Sequence, residues 1–212
     1  RRIAEEPDER VRGAAVRCLA AVGGQGAFKA VVPYLADPSL SVRSAAIAGL
    51  LRSQGTEGVT TAGERLLTLV GSAVPAERAT AARLLADVPT SSFHRPLFSL
   101  LHDPDTEVQR AALWAAGRLG NEGFWPQVVA RIGCPPGRRT AAAALVAGGE
   151  AALPAMAAAF AQPGGSPEVQ ARLAQVAGRI GGAQAVSWLE GHLRHPDAGV
   201  RSEVLRALSR CA

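Results

Sequence analysis

The sequence predicts an all-α fold, an α-solenoid in which stacked two-helix repeats share a continuous core. The 48% apolar content is carried mostly by Ala, Leu and Val, and aromatic residues make up only 4%; small, helix-favouring residues let helices approach closely. Val and Ile never alternate in strand-like runs between turn dipeptides, so no hairpin is indicated. A unit of about 30 residues recurs along the chain, and such a period is typical of solenoids.

Seven copies of an Ala-rich helix can be aligned, each on an Arg or Gln that opens its run. These anchors are Arg12, Arg43, Arg78, Gln109, Arg138, Gln170 and Arg201. Successive anchors lie 31, 35, 31, 29, 32 and 31 residues apart. The positions three and seven past each anchor are small or apolar, which places them on one buried stripe of a helix. We therefore expect burial of Ala46, Leu50, Ala112 and Leu145.

Each Ala-rich helix is expected to end near a glycine, as left-handed helix ends prefer; the glycines are Gly23, Gly55, Gly120, Gly149 and Gly181. A shorter second helix follows, in segments such as AFKAVVPYLAD, FWPQVVARIG and AALPAMAAAFAQ. These segments lead into DPS, DPD, SPE or HPD turns, where Asp or Ser caps the next helix and Pro opens it. We predict one right-handed solenoid domain over residues 1–212, with about six complete helix pairs after a leading helix.

The order of these features resembles the HEAT repeat in its short, PBS-lyase-like form. It is clearest at Asp37-Pro38, Asp103-Pro104 and Pro196-Asp197. The resemblance covers the whole chain and implies an armadillo-like superhelix in which turn Asp and following Arg residues form a hydrogen-bonded ladder between repeats. The residues in those places are Asp37, Arg43, Asp103, Asp197 and Arg201. Gln replaces Arg in two copies and the third lacks the Asp-Pro turn, so the ladder is doubtful around Arg78.

Catalytic and metal-binding patterns are weak in this sequence. The glycines of GGQGAFK follow no strand, so a phosphate loop is disfavoured. His192 and His195 lie three residues apart beside Glu190 and Asp197, a spacing that suits metal ligands but suits a solvated turn better. The chain has no His-Glu dipeptide, which disfavours the dimetal hydroxylases built from HEAT-like repeats. We therefore expect no enzyme activity, no cofactor and no metal.

The charge is +5 and almost entirely due to arginine, because Lys29 is the only lysine. Positions one, five and nine past each anchor lie on one helix stripe, roughly opposite the buried one. Stacked repeats would align these positions into a groove whose base is lined by alanines. We call its charged and aromatic members the basic strip: Arg17, Arg52, Arg83, Arg110, Trp114, Arg118, Arg139, Arg179, Arg206 and Arg210. A row of arginines is more often a solvated face. The alternative is a groove for an acidic peptide, a nucleic acid or a nucleotide, since focused positive potential attracts anions.

The expected function is a non-enzymatic interaction or regulatory module that binds a protein partner or other domains of its own chain. The sequence is also similar to the soluble HEAT segment of bacterial nucleotide-translocase-like carriers, which implies a cytoplasmic module tethered to the inner membrane. The alternative is a nucleic-acid-binding HEAT protein similar to the alkylpurine DNA glycosylases, which have a basic concave face.

Two further features bear on location. Three cysteines at no metal-like spacing favour a reducing compartment. Apolar stretches such as TAAAALVAGGEAALPAMAAAFA are broken by Gly, Glu150 and Pro154 and fall short of the roughly 20 residues of a membrane span. The opening RRIAEEPDER has no Met and no signal-peptide layout, so we expect a piece of a longer protein.

Overall fold

The computed structural model describes residues 3–52, 56–87 and 93–211, and its regular elements in these ranges are all helical. This confirms the all-α prediction. The α-helices are α1 (Glu9–Val22), α2 (Gly24–Val31), α3 (Leu40–Arg52), α4 (Thr56–Val70), α5 (Pro75–Leu85), α6 (His94–Leu100), α7 (Thr106–Leu119), α8 (Trp125–Ala130), α9 (Arg138–Gly148), α10 (Leu153–Phe160), α11 (Pro167–Ile180), α12 (Gly182–Glu190) and α13 (Ala198–Cys211).

The chain divides into two compact units, Arg1–Leu100 and Leu101–Ala212. The first unit holds α1 to α6 and the second holds α7 to α13. In both, the odd-numbered helices are the Ala-rich helices of the aligned repeats, and the even-numbered helices are the second helices. This alternation within each unit is that of an α-solenoid. The single domain over residues 1–212 and the right-handed twist stay predictions.

The anchor residue has a fixed place in the helices, with one exception. It is the fourth residue of α1, α3, α5, α7, α11 and α13, but Arg138 is the first residue of α9. The other helices gain their first turn from a capping Asp or an opening Pro; Asp105, for example, accepts hydrogen bonds from the N–H groups of Glu107 and Val108. Before α9 stands Pro135-Pro136-Gly137, which offers no capping side chain. The fifth Ala-rich helix therefore begins one turn late.

The predicted glycine ends are confirmed at four helices. Gly23, Gly120, Gly149 and Gly181 have φ between 61° and 75°, a region that side chains with a Cβ rarely adopt. Gly120 is a left-handed cap whose N–H donates to the carbonyl of Ala116. The fifth predicted end, Gly55, lies outside the described residues.

The buried stripe follows the predicted register. Ala46, Leu50, Ala112 and Leu145 are each at most 1% exposed, which confirms the expectation for all four. The even-numbered helices complete the core of each unit with larger side chains; among the most deeply buried are Leu66, Leu97, Trp125, Met156 and Leu189. The aligned repeats therefore bury the faces that their spacing indicated.

Small residues bring some neighbouring Ala-rich helices into backbone contact. A Cβ on Gly117 of α7 would lie 2.8 Å from the Cα of Ala144 in α9, and one on Gly178 of α11 would lie 2.7 Å from the Cα of Ala207 in α13. A Cβ on Gly49 would likewise collide with the Cβ of Ala20. In each case the residue on the first helix lies eight positions past its anchor, and the residue on the next Ala-rich helix lies six positions past its own anchor.

The equivalent pairs at the remaining interfaces within each unit are larger. They are Leu51 and Leu84 for α3 and α5, and Val146 and Val176 for α9 and α11. The distance between packed helices depends on the side chains at the contact. The α9–α11 pair consequently lacks the close backbone approach of its two neighbours in the second unit.

The turns before the Ala-rich helices are held by a recurring hydrogen bond from the anchor to the carbonyl six residues earlier. The pairs are Arg12 to Glu6, Arg43 to Asp37, Arg78 to Ser72, Gln109 to Asp103 and Arg201 to His195. Arg78 makes this bond although its turn lacks Asp-Pro. The shared contact is thus with the backbone, which explains how Gln109 can replace arginine.

Two anchors of the first unit also join neighbouring repeats. The Nε of Arg12 lies 3.3 Å from the Asp37 carboxylate, and the Nη2 of Arg43 lies 2.5 Å from the Glu77 carboxylate. Arg43 therefore meets only the backbone of Asp37, whose carboxylate pairs with the preceding anchor. The carboxylates of Asp103 and Asp197 accept backbone N–H bonds from Asp105 and Val200 within their own turns.

One stretch, Arg138–Phe160, is long and apolar enough to cross a membrane by length and composition alone, with a mean hydropathy of 1.5. The structure breaks it at Gly149, where φ is 61°, into α9 and α10. Such a stretch is weak evidence for a span, because helices of soluble repeat proteins pass the same test.

Candidate functional site

The basic strip has three members in the first unit, all exposed: Arg17 on α1, Arg52 at the end of α3 and Arg83 on α5. The Nη2 of Arg52 lies 2.7 Å from a carboxylate oxygen of Asp87. Its charge is therefore compensated by a residue of the next repeat.

The second unit carries the other members, and all are exposed. Arg110, Trp114 and Arg118 lie on α7, Arg139 on α9, Arg179 on α11, and Arg206 and Arg210 on α13. Trp114 is 45% exposed, and the guanidinium carbon of Arg118 lies 5.1 Å from its ring centroid, within the range of a cation–π contact. The α7 part of the strip thus offers an aromatic face already covered by a cation.

Glutamates pair with Arg110 of α7 and with Arg206 and Arg210 of α13. Arg110 pairs with Glu107, while Arg206 and Arg210 lie 3.3 and 3.6 Å from the carboxylate of Glu203. Arg139 and Arg179 form no ion pair within the described ranges, 3–52, 56–87 and 93–211. Arg139 and Arg179 therefore carry uncompensated charge on α9 and α11.

A concavity of about 370 Å³ lies between these two helices. Its lining has four arginines, one amide and no carboxylate: Ile132, Arg138, Arg139, Ala142, Ala143, Arg172, Gln175, Val176 and Arg179. We call it the arginine pocket. It occurs at the interface where Val146 and Val176 take the place of a Gly–Ala pair, and Val176 is part of its lining.

Arg138 is the anchor of the fifth repeat, and its side chain is incompletely paired. Arg138 is the first residue of α9, whereas each other anchor is the fourth residue of its helix. Its side chain therefore leaves the backbone at a different position relative to the preceding turn. Its buried Nε has no hydrogen-bond partner among the described residues. Arg172, across the pocket on α11, lies 3.5 Å from the largely exposed carboxylate of Glu168. The pocket therefore contains guanidinium donors that the protein itself leaves unused.

A second concavity, of about 460 Å³, adjoins the arginine pocket. It is lined by Arg110, Pro135, Pro136, Arg139, Thr140 and Ala143. Arg139 and Ala143 line both spaces. A ligand with an anionic group and a small apolar neighbour could fill the two together.

The sequence indicated Arg139 and Arg179 but not Arg138, Arg172 or Gln175. Arg138 is the anchor of its repeat, Arg172 lies outside the strip positions, and Gln175 lies at a strip position but carries no charge. One signal was present, since Arg139 and Arg179 have no acidic residue three or four positions away, the spacing at which helical ion pairs form. Arg110 and Arg206 each have such a glutamate.

The two histidines considered as metal ligands belong to an aromatic cluster instead. The ring of Phe160 lies 4.4 Å from that of His192 and 5.6 Å from that of His195 between centroids. The Nδ1 of His192 lies 2.7 Å from the carbonyl of Trp188. Among the described residues, no three His, Cys, Asp or Glu side chains are grouped as a metal site. These rings pack α10 against α12.

The family profile of HEAT repeats matches residues 1–68, 63–148 and 153–211. The chain belongs to the HEAT-repeat family. This confirms the family resemblance and the repeat fold, and HEAT repeats in general mediate protein interactions. No curated protein sequence matches this HEAT-repeat chain.

Several solved structures are similar to it at low identity. Human deoxyhypusine hydroxylase is 19% identical with a TM-score of 0.43, over 98% of this chain and 91% of that one. An engineered protein is 20% identical with a TM-score of 0.40, over 99% and 93%. A designed armadillo repeat protein is 19% identical with a TM-score of 0.34, over 99% and 97%. At these values the likenesses carry no inference about activity.

Proposed function

We propose that this chain is a non-enzymatic interaction module that binds an acidic segment of a protein partner at the arginine pocket. The observation that carries the proposal is the pocket's lining, which combines four arginines with no carboxylate. Elsewhere in the second unit, glutamates already compensate the arginines of α13 and Arg110 of α7. The pocket is the place where an acidic ligand would replace missing partners rather than compete with existing ones.

Physical chemistry supports a carboxylate or phosphate ligand. A guanidinium offers a planar fork of donors that matches these groups in two parallel hydrogen bonds. A concave surface lined by charges of one sign also raises the local concentration of the opposite ion. Both effects need guanidinium groups that do not already form an ion pair. Arg139 and Arg179 meet this condition among the described residues.

A binding titration with a matched control tests the proposal. A fluorescein-labelled oligoglutamate peptide should bind the wild-type chain in low salt. The double change Arg139→Glu with Arg179→Glu should weaken binding strongly, whereas Arg206→Glu with Arg210→Glu, an equal change in net charge, should weaken it much less. Equal effects of the two double variants would show attraction to overall charge only and would contradict the proposal.

Nucleic-acid binding is the second candidate, and the exposed Trp114 with its neighbouring Arg118 favours it. Stacking a base on an aromatic ring is worth roughly 1 to 3 kcal/mol, and the affinity of a polyanion falls steeply with salt. Single-stranded and duplex oligonucleotides should be titrated at two salt concentrations with wild type, Trp114→Ala and Arg118→Glu. Salt-sensitive binding that Trp114→Ala leaves unchanged would reduce this candidate to non-specific charge.

The cellular setting is a further part of the proposal and rests on the sequence resemblance alone. A module associated with a nucleotide-translocase-like carrier would work in the cytoplasm beside the inner membrane. The parent gene provides the test, because a neighbouring run of transmembrane helices would support the carrier association. A separate reading frame would favour an independent binding protein.

A further inference from the structure

We propose that the arginine pocket recognises a phosphate monoester, carried by a phosphorylated Ser or Thr in the acidic partner. This inference rests on the proposed function and gives it a ligand class. On this inference the pocket binds one doubly charged phosphate group. A general acidic-peptide surface would instead bind several carboxylates at several places.

Charge balance favours a dianion over a carboxylate. Four arginines line the pocket and Glu168 pairs with one of them, which leaves three positive charges uncompensated (4 − 1 = 3). A phosphate monoester carries about −1.5 to −2 near pH 7, whereas a carboxylate carries −1. A single Glu or Asp side chain would leave most of the local charge unpaired.

The available donors also suit a phosphate. Arg138, Arg139 and Arg179 approach the space from α9 and α11, and the Gln175 amide adds an uncharged donor. Three phosphate oxygens accept more hydrogen bonds than one carboxylate can. The Nε of Arg138 is buried and has no hydrogen-bond partner among the described residues, so a turn of this guanidinium toward a bound oxyanion would remove an unfavourable unpaired donor.

The surroundings favour a peptide over a nucleic acid. A polyanion gains affinity from a continuous row of uncompensated cations, but on α13 Glu203 pairs with both Arg206 and Arg210 and compensates one of their two charges. The space adjoining the pocket is lined by Pro135, Pro136 and Thr140. These residues offer an uncharged surface for the residue next to a phosphorylated side chain.

The first experiment records the Nε–H signals of arginine by NMR of the ¹⁵N-labelled chain during titration with phenyl phosphate or phenylacetate. We expect saturable shifts of Arg138, Arg139, Arg172 and Arg179, with phenyl phosphate bound at least about tenfold more tightly, since it forms additional charge-assisted bonds. Equal affinity for the two probes would overturn the phosphate assignment. Shifts spread over all exposed arginines without saturation would also overturn it.

Single substitutions show which arginines bind the phosphate. Two pocket variants are used, so that the inference can still be tested if one of them does not fold. Arg179→Gln and Arg139→Gln should each reduce phenyl phosphate affinity by about tenfold, the effect of one lost charge-assisted bond. Arg206→Gln, which removes an arginine already paired with Glu203, should leave affinity within about twofold. Unchanged affinity in both pocket variants would place the phosphate elsewhere.

Two further probes separate the possible ligands. The peptide Ala-Pro-phosphoserine-Pro-Ala should bind more tightly than free phosphoserine, because its neighbours reach the adjoining space; equal affinity would overturn the peptide source and favour a small phosphorylated molecule. Oligothymidylate without terminal phosphate should bind the same arginines more weakly than the phosphopeptide, and tighter binding would favour nucleic acid. If phenyl phosphate does not bind but oligoglutamate binds through Arg139, the phosphate inference fails and the proposed function stands.

Discussion

Two neighbouring interfaces of the second unit have opposite character. Between α11 and α13, Gly178 meets the backbone of Ala207, and the nearby arginines of α13 pair with Glu203. Between α9 and α11 the equivalent positions hold Val146 and Val176, and four arginines line a concavity at this interface. One repeat geometry thus gives a closely packed interface with partly compensated arginines in one place and a concave, basic interface in the next.

The comparison shows that two local choices produce the site together. Residue size at the closest approach affects the spacing of the helices, and the presence of a carboxylate within reach decides whether an arginine is compensated. The late start of α9 adds a third difference, because it leaves the side chain of Arg138 only partly paired. A site of this kind needs no catalytic motif and no insertion.

The largest effect is expected from removing the packed interface altogether. Deleting residues 195–212 removes α13, so the faces of α11 and α12 that pack against it become exposed to water. Because each repeat of a solenoid contacts only its neighbours, the melting temperature should fall while the remaining helices stay folded and the arginine pocket keeps its affinity for phenyl phosphate. Circular dichroism measures the melting temperature and the helix content, and the phenyl phosphate titration measures the affinity of the pocket. Complete unfolding would instead indicate one indivisible core.

A single methyl group should disrupt the same interface. In Gly178→Ala the new Cβ would lie 2.7 Å from the Cα of Ala207 and 2.9 Å from its carbonyl oxygen, so backbone must move. We expect a loss of about 3 kcal/mol in the free energy of unfolding, measured by urea denaturation. Gly26→Ala is the control, because nothing lies within 4 Å of its Cβ and alanine favours the helix. A Gly178→Ala chain as stable as wild type would refute close packing there.

A smaller effect is expected from ion pairs, in proportion to their burial. In Asp37→Ala, Arg12 loses its carboxylate partner; the two side chains are 14% and 11% exposed, so we expect a loss of about 1 to 3 kcal/mol. Glu107→Ala breaks the pair with Arg110, whose side chains are 55% and 56% exposed, and should cost about 0.3 kcal/mol. The same denaturation assay compares them. Equal losses would contradict the importance of burial.

The sequence predicted the repeat register well because buried positions recur with helical spacing. Ala46, Leu50, Ala112 and Leu145 illustrate this, as does the left-handed end at Gly120. The packing of α9 against α11 could not be predicted. Only the structure shows that Gly117 and Gly178 contact the backbone of the next Ala-rich helix, and only then can Val146 and Val176 be recognised as the equivalent positions.

The site was predicted in part for a related reason. Arg139 and Arg179 lie at strip positions and lack acidic neighbours along the helix, but Arg17 meets the same two conditions, so local spacing narrows the set of candidates without identifying the pair. Arg138 and Arg172 enter the pocket through the late start of α9 and through contact across two repeats. The compensation of Arg52 by Asp87, 35 residues away, is likewise a tertiary contact that one-dimensional spacing does not reveal.

The most direct test of the account compares two identical substitutions on α9 that leave the net charge unchanged. Ala143 lines both concavities, whereas Ala147, also exposed and one turn further along, lines neither. Ala143→Leu should fill the space and reduce the affinity for phenyl phosphate by at least about tenfold, the equivalent of one lost charge-assisted bond, and Ala147→Leu should bind as wild type does. If both variants bind like the wild type, the anion is not held between α9 and α11, and the central claim is wrong.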